Sequence, residues 1–261
     1  MKHTFVICAY KESPYLEECI QSLRNQTVKS VIKMITSTPN AYISNMAKKY
    51  QIELIINEGH GGIVPDWNFG YAHTETPYVT IAHQDDVYFK EYTEYALKEL
   101  ERAKTPLIFF TDYWELRDGK YVKSNRLLKI KRLMLLPFRI RACYTSIFIR
   151  RRMLSFGSPI CCPSVAYAKE NLPKQIFCEG FRSNEDWEAW EKLSRRKGSF
   201  IYCNVPLMAH RIHADSETTA IIADNKRSDE DYVMFSKFWP KWMVKGLVKS
   251  YAKGQDSNGM K

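Results

Sequence analysis

Residues 78–89, Tyr-Val-Thr-Ile-Ala-His-Gln-Asp-Asp-Val-Tyr-Phe, decide how the rest of the chain is read. Tyr78 to Ala82 is a short apolar run containing β-branched residues, the composition of a buried strand. Two adjacent carboxylates, Asp85 and Asp86, follow it. In an open α/β sheet, ligands collect in the crevice beyond the carboxyl ends of the strands. Neighbouring acids there repel each other unless something positive sits against them. A divalent cation carrying a diphosphate meets that need, because hard cations take carboxylate and phosphate oxygens together. The competing reading is structural, since Asp also ends strands by favouring turns and caps. The context of the motif decides between the two.

Upstream, Thr4–Ala9 reads as a buried strand. Ser13 and Pro14 then predict a helix start, with Leu16, Ile20 and Leu23 at helical spacing. Strand patterns recur at Val31–Thr36, Ile52–Ile56 and Leu107–Thr111, alternating with helix patterns at Ala41–Tyr50, Pro65–His73 and Glu91–Arg102. A glycine-rich turn spans Glu58–Gly62. This alternation predicts an α/β fold, Rossmann-like, with a mostly parallel sheet and helices on both faces.

Beyond Thr111 the character changes. Asp118-Gly119 predicts a hairpin turn. A helix is expected over Glu185–Lys197, with Trp187 and Trp190 on a buried stripe. A short strand is expected over Phe200–Cys203, followed by a His-Arg-Ile-His loop at His210–His213. A last long helix over Asp224–Phe238 precedes a basic, aromatic tail. The expected division is a nucleotide-binding half over 1–112, an acceptor-side half of the same domain over 113–223, and a terminal helix and tail over 224–261.

Composition narrows the function classes. Hydrophobic residues make up 45% of 261, enough for a sizeable core. No apolar run reaches the ~20 residues that span a bilayer. The opening residues read as a strand and not as a signal sequence, so a cytoplasmic protein is expected. Seven cysteines, an odd number with no Cys-x-x-Cys pair, predict reduced thiols and no disulfide or zinc framework. A formal net charge of +10 suggests an anionic partner. Nucleic acid is not expected, because no RNP-like, zinc-finger or helix-turn-helix pattern is present. Basic residues interleaved with Leu, Met and Trp over 126–152 and 237–253 suit peripheral contact with an anionic membrane at its inner face. The plainer reading is a solvated helix face.

Four segments in order resemble the family 2 glycosyltransferases of the GT-A fold. Val-Ile-Cys-Ala-Tyr-Lys-Glu-Ser and the helix after it are similar to that family's first strand and helix. The stretch from Asn57 to Phe89 resembles its Gly-rich turn, Asn-x-Gly helix, strand and acidic motif. Glu185-Asp186-Trp187 resembles the segment that supplies the catalytic base, and the run from His210 to Thr218 its late His-containing loop. The resemblance implies a nucleotide-diphosphate sugar donor, a UDP-sugar first among them, and Mn2+ or Mg2+. It further implies inversion at the sugar carbon and a saccharide or lipid-linked acceptor, in bacterial surface-polysaccharide synthesis.

On this resemblance Asp86 is the expected main metal ligand, with Asp85 beside it on the donor and His213 completing the shell. Asp186 is the expected general base, although Ser183-x-x-Asp186 also reads as a plain helix cap. Ala9, Tyr10 and Glu12 follow the first strand, where base or ribose would lie. Asn68 is expected near the diphosphate or holding the motif loop, and Arg211 against the diphosphate charge. Glu185 and Trp187 are expected on the acceptor side. Two departures stand out. His83 occupies the first acidic position of the motif, and Ile35–Asn40 lacks the carboxylate that often ends the second strand. A metal-dependent nucleotidyltransferase or nucleotide-sugar phosphohydrolase is the alternative enzyme, and a basic nucleic-acid-binding protein the alternative of another class.

Overall fold

The computed structural model describes residues 1–213 and 227–256. One sheet organises them. Its strands are β1 (His3–Cys8), β2 (Val31–Thr36), β3 (Glu53–Ile56), β4 (Tyr78–His83), β5 (Val87–Tyr88), β6 (Pro106–Arg117), β7 (Lys120–Val122), β8 (Val165–Ala168) and β9 (Ser199–Ile212). Their spatial order is β3-β2-β1-β4-β8-β6-β9-β5, with β7 paired to β6.

The first four strands are parallel in register, Phe5 lying between Ile32 and Thr80. Their crossovers carry α1 (Leu16–Arg24), α2 (Ala41–Tyr50) and α3 (Ile63–Ala72). Beyond β4 the sheet turns mixed. β8 runs antiparallel to both β4 and β6, while β9 runs parallel to β6. The mostly parallel expectation therefore holds for the first half only. β8 arrives through a long excursion of short helices, which frees it from the right-handed βαβ connection that enforces parallel neighbours. The hairpin at Asp118-Gly119 is present, joining β6 to β7 with both turn residues at positive φ.

Two local expectations are corrected. α1 starts at Leu16 rather than beside Pro14, and the Ser13 hydroxyl accepts from the Tyr15 N–H instead of capping a longer helix. The strand expected to end at Cys203 runs on to Ile212, so His210, Arg211 and Ile212 belong to its end and not to a free loop, and His213 directly follows it. Asn204 and Val205 bulge out between the registers Thr111–Cys203 and Asp112–Pro206. Pro206 lacks an N–H, and the bulge lets the strand tolerate it. The described part of the last expected helix is α8 (Arg227–Ser236); residues 214–226 lie outside the described residues. A further helix, α9 (Lys241–Asp256), occupies the basic tail.

Apolar side chains pack on both sheet faces. One core gathers Val6, Ile81, Phe110 and Trp190, the other Phe5, Ile20, Tyr92 and Phe109. α3 lies against β1 so closely that a Cβ on Gly70 would stand 2.6 Å from Val6 Cγ1. The expected stripe on α7 (Glu185–Ser194) is present, since Trp187 and Trp190 are both fully buried. Trp187 packs edge-on to Phe235 at 5.1 Å, and its indole N–H donates to the Leu154 carbonyl at 3.0 Å. Its acceptor-side assignment is therefore replaced by a core role. Trp187→Ala is expected to cost about 3–5 kcal/mol, the range for removing a buried aromatic, visible as a lower denaturant midpoint.

Candidate active site

Loops after the first, second and fourth strands meet at the carboxyl end of the sheet, and side-chain hydrogen bonds fix their spacing. Gln84, inside the acidic motif, accepts from the Tyr10 N–H and donates to the Tyr10 carbonyl, both at 3.0 Å. The next residue, Lys11, sits at φ +52 and gives its N–H to the Thr38 hydroxyl. The Asp66 carboxylate accepts from the Ser37 hydroxyl at 2.7 Å and from the Asn57 amide at 2.8 Å. Asp66 is thus a buried tie that holds the loops after β2 and β3 to α3. Tyr10 stays 48% exposed over the crevice, while Ala9 is buried with its N–H on the Ile35 carbonyl.

β9 supplies the floor of the acidic motif. Asp86 is fully buried, and its Oδ1 accepts from the Arg211 N–H at 2.8 Å and meets His210 Nδ1 at 3.0 Å. His213 Nε2 lies 3.0 Å from Asp85 Oδ2. The Arg211 guanidinium donates to the Asp85 carbonyl and pairs with Glu18 of α1. It also stands over the Tyr15 ring. Arg211 is therefore spent on bracing the motif, and its expected place against a diphosphate is corrected to a supporting one.

His83, Asp85 and Asp86 each present a ligand atom within 4.8 Å of the others. Two buried atoms in this cluster, His83 Nε2 and Asp86 Oδ2, have no hydrogen-bond partner among the described residues. His83 Nδ1 stands 4.0 Å from Asp86 Oδ2. That separation is too long for a hydrogen bond and suits two ligands of one ion, which lie about 3–4 Å apart when each bond is ~2.1 Å. Burial, opposed by Asp86 and Asp85, pushes the His83 imidazole below its ordinary pKa and keeps it neutral, the form that binds metal. His210 shifts the other way: burial lowers it, but the Asp86 carboxylate at hydrogen-bond distance raises it more. Burial raises Asp85, yet the His213 hydrogen bond and the His83 and His210 rings hold it below the usual carboxylate range. The donor set thus fits a divalent cation. Trp67 stacks on His83 at 5.2 Å between centroids and 16° between planes, fixing the ring.

The second acidic pair, Glu185 and Asp186, opens α7. Its helix end is capped from outside. Glu230 of α8 accepts the backbone N–H groups of Arg182, Ser183 and Asn184. The cap expected from Ser183 and Asp186 is therefore supplied by another helix. Asp186 Oδ1 accepts from the Trp187 N–H at 2.6 Å, and Glu185 is buried. Burial pushes the Cys161 thiol up; Lys131 opposes this, while Asp86 and Asp186 both add to it. One buried thiol thus feels both the motif and the α7 acid.

Other expected site residues do different work. Asn68 spends its amide on the backbone of Ile176 and Phe177, accepting two N–H bonds and donating one to a carbonyl. Its expected place near the diphosphate is corrected to pinning that segment on α3. Glu12 lies exposed in the loop after β1. The sequence reading missed His83 as a candidate ligand, His210 as the partner of Asp86, and Gln84 as the clamp on Tyr10.

A profile of glycosyl transferase family 2 matches residues 4–177, two thirds of the chain. Curated relatives include an uncharacterised glycosyltransferase of Rickettsia felis, 21% identical over 94% of this chain and 39% of its own length. Another, from Rickettsia prowazekii, is 22% identical over 95% of this chain and 76% of its own length. The chain thus spans about two fifths of the first of these relatives. Among solved structures, S. aureus TarS 1-349 in complex with UDP-GlcNAc superposes with a TM-score of 0.65 and 15% identity, covering 98% of this chain and 73% of that one. A mannosyltransferase from Pyrobaculum calidifontis, solved with GDP-Man and Mn2+, gives 0.63 at 13% identity, covering 97% and 69%. These likenesses carry the GT-A fold. With the profile covering the strand-and-acid motif and two thirds of the chain, the chain belongs to glycosyl transferase family 2.

Proposed function

We propose that this chain transfers a sugar from a nucleotide-diphosphate donor to a saccharide or lipid-linked acceptor, with metal assistance and inversion, in cell-surface polysaccharide synthesis. The observation that carries the reading is Asp86 Oδ2, buried and without a hydrogen-bond partner among the described residues, with His83 Nδ1 4.0 Å from it and Asp85 beside it at the carboxyl end of the parallel strands. Unsatisfied buried polar atoms are costly and mark a missing partner. Asp86, Asp85 and His83 would hold Mn2+ or Mg2+, which supplies positive charge against the leaving diphosphate. His213 supports Asp85 from outside this set.

The remaining steps belong to the chain's own groups. Tyr10 offers an exposed ring for the base, on a loop clamped by Gln84. Asp186 takes the proton from the acceptor hydroxyl, and that oxygen attacks the anomeric carbon from the face opposite the diphosphate. Glu185 helps shape the acceptor side. UDP-sugars are the first donors to test and GDP-sugars the second, following the donors bound in the two solved neighbours. The test follows the nucleotide product. Nucleoside diphosphate release that rises when a saccharide acceptor is added supports transfer. Nucleoside monophosphate release without an acceptor contradicts it and marks a phosphohydrolase.

An imidazole among the ligands makes a further prediction. Nitrogen ligands favour Mn2+ and its later neighbours over Mg2+, which prefers oxygen alone. His83→Asp is therefore expected to shift preference toward Mg2+ by about 10-fold in relative affinity, the size seen when ligand surroundings change. Calorimetric titration of both ions into both proteins checks it.

A further inference from the structure

Between Asp118 and Glu170 the sequence contains no acid, while it contains twelve Lys and Arg residues. This segment forms α5 (Arg126–Met134), two short 3-10 turns and α6 (Ile147–Leu154), and then leads into β8. Its apolar residues do not all go inside. On α5, Arg126, Lys129, Ile130 and Leu133 are exposed at positions i, i+3, i+4 and i+7, which is one helix face. On α6, Phe148 and Arg152 are exposed one turn apart. Phe148 is 71% exposed and Leu133 65%. The two helices share an apolar groove of ≈ 240 Å³, lined by Leu133, Pro137, Phe148, Met153 and Phe156 with Arg152 among them. The Arg152 guanidinium lies over Phe148 and Trp239, so charge and aromatic surface are interleaved.

The opposite side of α5 faces the cleft. Lys131 donates to the Tyr113 hydroxyl at 2.9 Å, and the Tyr113 ring packs edge-on to His210. Arg132 pairs with Asp112 at 2.8 Å. One helix therefore joins the candidate site to the basic, apolar surface.

We propose that the exposed face of α5 and α6 docks on an anionic phospholipid surface. Large apolar side chains exposed among unpaired surface cations suit the interface of a bilayer, where the rings enter the acyl boundary and the cations meet headgroup charge. The charge chooses this occupant over a neutral or acid-free protein face, because a 51-residue stretch without one acid repels every cationic partner and a second copy of itself. Among the described residues no helix is long and apolar enough to cross a membrane, so the contact is peripheral in this part of the chain.

The test is co-sedimentation with vesicles of phosphatidylcholine alone and of phosphatidylcholine mixed with phosphatidylglycerol, at low and high salt. The wild-type chain is expected to bind the anionic vesicles, and binding is expected to fall with salt, since each Lys or Arg near such a surface strengthens it roughly fivefold. Leu133→Glu with Phe148→Glu, both surface changes, is expected to lower binding about 10-fold or more. A melting curve shows that the double variant is folded. Equal binding to both vesicle types, no binding to either, or unchanged binding by the double variant overturns the proposal. Self-association on a sizing column that the double variant abolishes, without vesicle binding, overturns it in favour of a protein contact. Nucleotide-dependent thermal stabilisation of the double variant is read in parallel. Its persistence separates loss of the membrane face from failure of the proposed donor site.

Discussion

Asp186→Asn is expected to lower kcat by about 10²–10⁴-fold, the usual contribution of a positioned general base. The asparagine keeps an acceptor oxygen for the Trp187 N–H, so the helix end is preserved. Glu230 supplies the main cap in any case. Metal-dependent donor binding is expected to stay within a few-fold of wild type, because the candidate ligands His83, Asp85 and Asp86 sit on β4 and its turn and Asp186 is not among them. A variant that loses activity and donor binding together would show that Asp186 holds the site's structure and does not move a proton.

Asp86→Asn carries the second large effect. Its Oδ1 would still accept from the Arg211 N–H, so the strand-to-motif contact survives. The group replacing Oδ2 is a donor, which opposes a cation at an oxygen that has no hydrogen-bond partner among the described residues. Loss of the ion's charge against a leaving diphosphate removes several kcal/mol, or about 10²–10⁴-fold in rate. Metal-dependent nucleotide binding should disappear as well. The cost in folding is about 1–3 kcal/mol, since His210 loses a charged partner inside the protein. Asp85→Asn is the control, because the Asp86 contacts to His210 and Arg211 stay in place. Its stability loss should be smaller while its loss of metal binding remains. Calorimetry and melting curves on the two variants separate ligand loss from structural loss.

The parallel half of the sheet was legible because its signals are local. Short β-branched runs, helix periodicity and glycine turns each fall within about ten residues. The mixed half was not. β6 and β9 pair across some ninety residues of chain, and the bulge at Asn204–Val205 hides the continuity of β9 behind Pro206. That one miss had consequences for the site. With β9 cut at Cys203, Arg211 read as a loop residue aimed at a diphosphate and His210 as a loop neighbour with no role of its own. On the full strand they turn toward Asp86 and Asp85 as supports. The acidic pair was legible, since adjacent carboxylates after a strand are a local pattern. The neutral, stacked state of His83 was not, because it depends on Trp67 from another element and on burial. Asn68 misled for a related reason. Its position in a familiar pattern suggested a ligand contact, whereas its amide is consumed by Ile176 and Phe177, over a hundred residues away.

Thermal unfolding with UDP, GDP and other nucleoside diphosphates, each with and without Mn2+, tests the central claim most directly. A ligand that binds only the folded state raises stability by mass action, about 2.7 kcal/mol at a hundred times its Kd. For a chain of this size that corresponds to a rise of roughly 5–10 °C. The account predicts such a rise for one nucleotide, only with Mn2+, and none in Asp86→Asn. No rise with any nucleotide, or a rise indifferent to Mn2+ and to residue 86, would contradict an ion and diphosphate held at His83, Asp85 and Asp86.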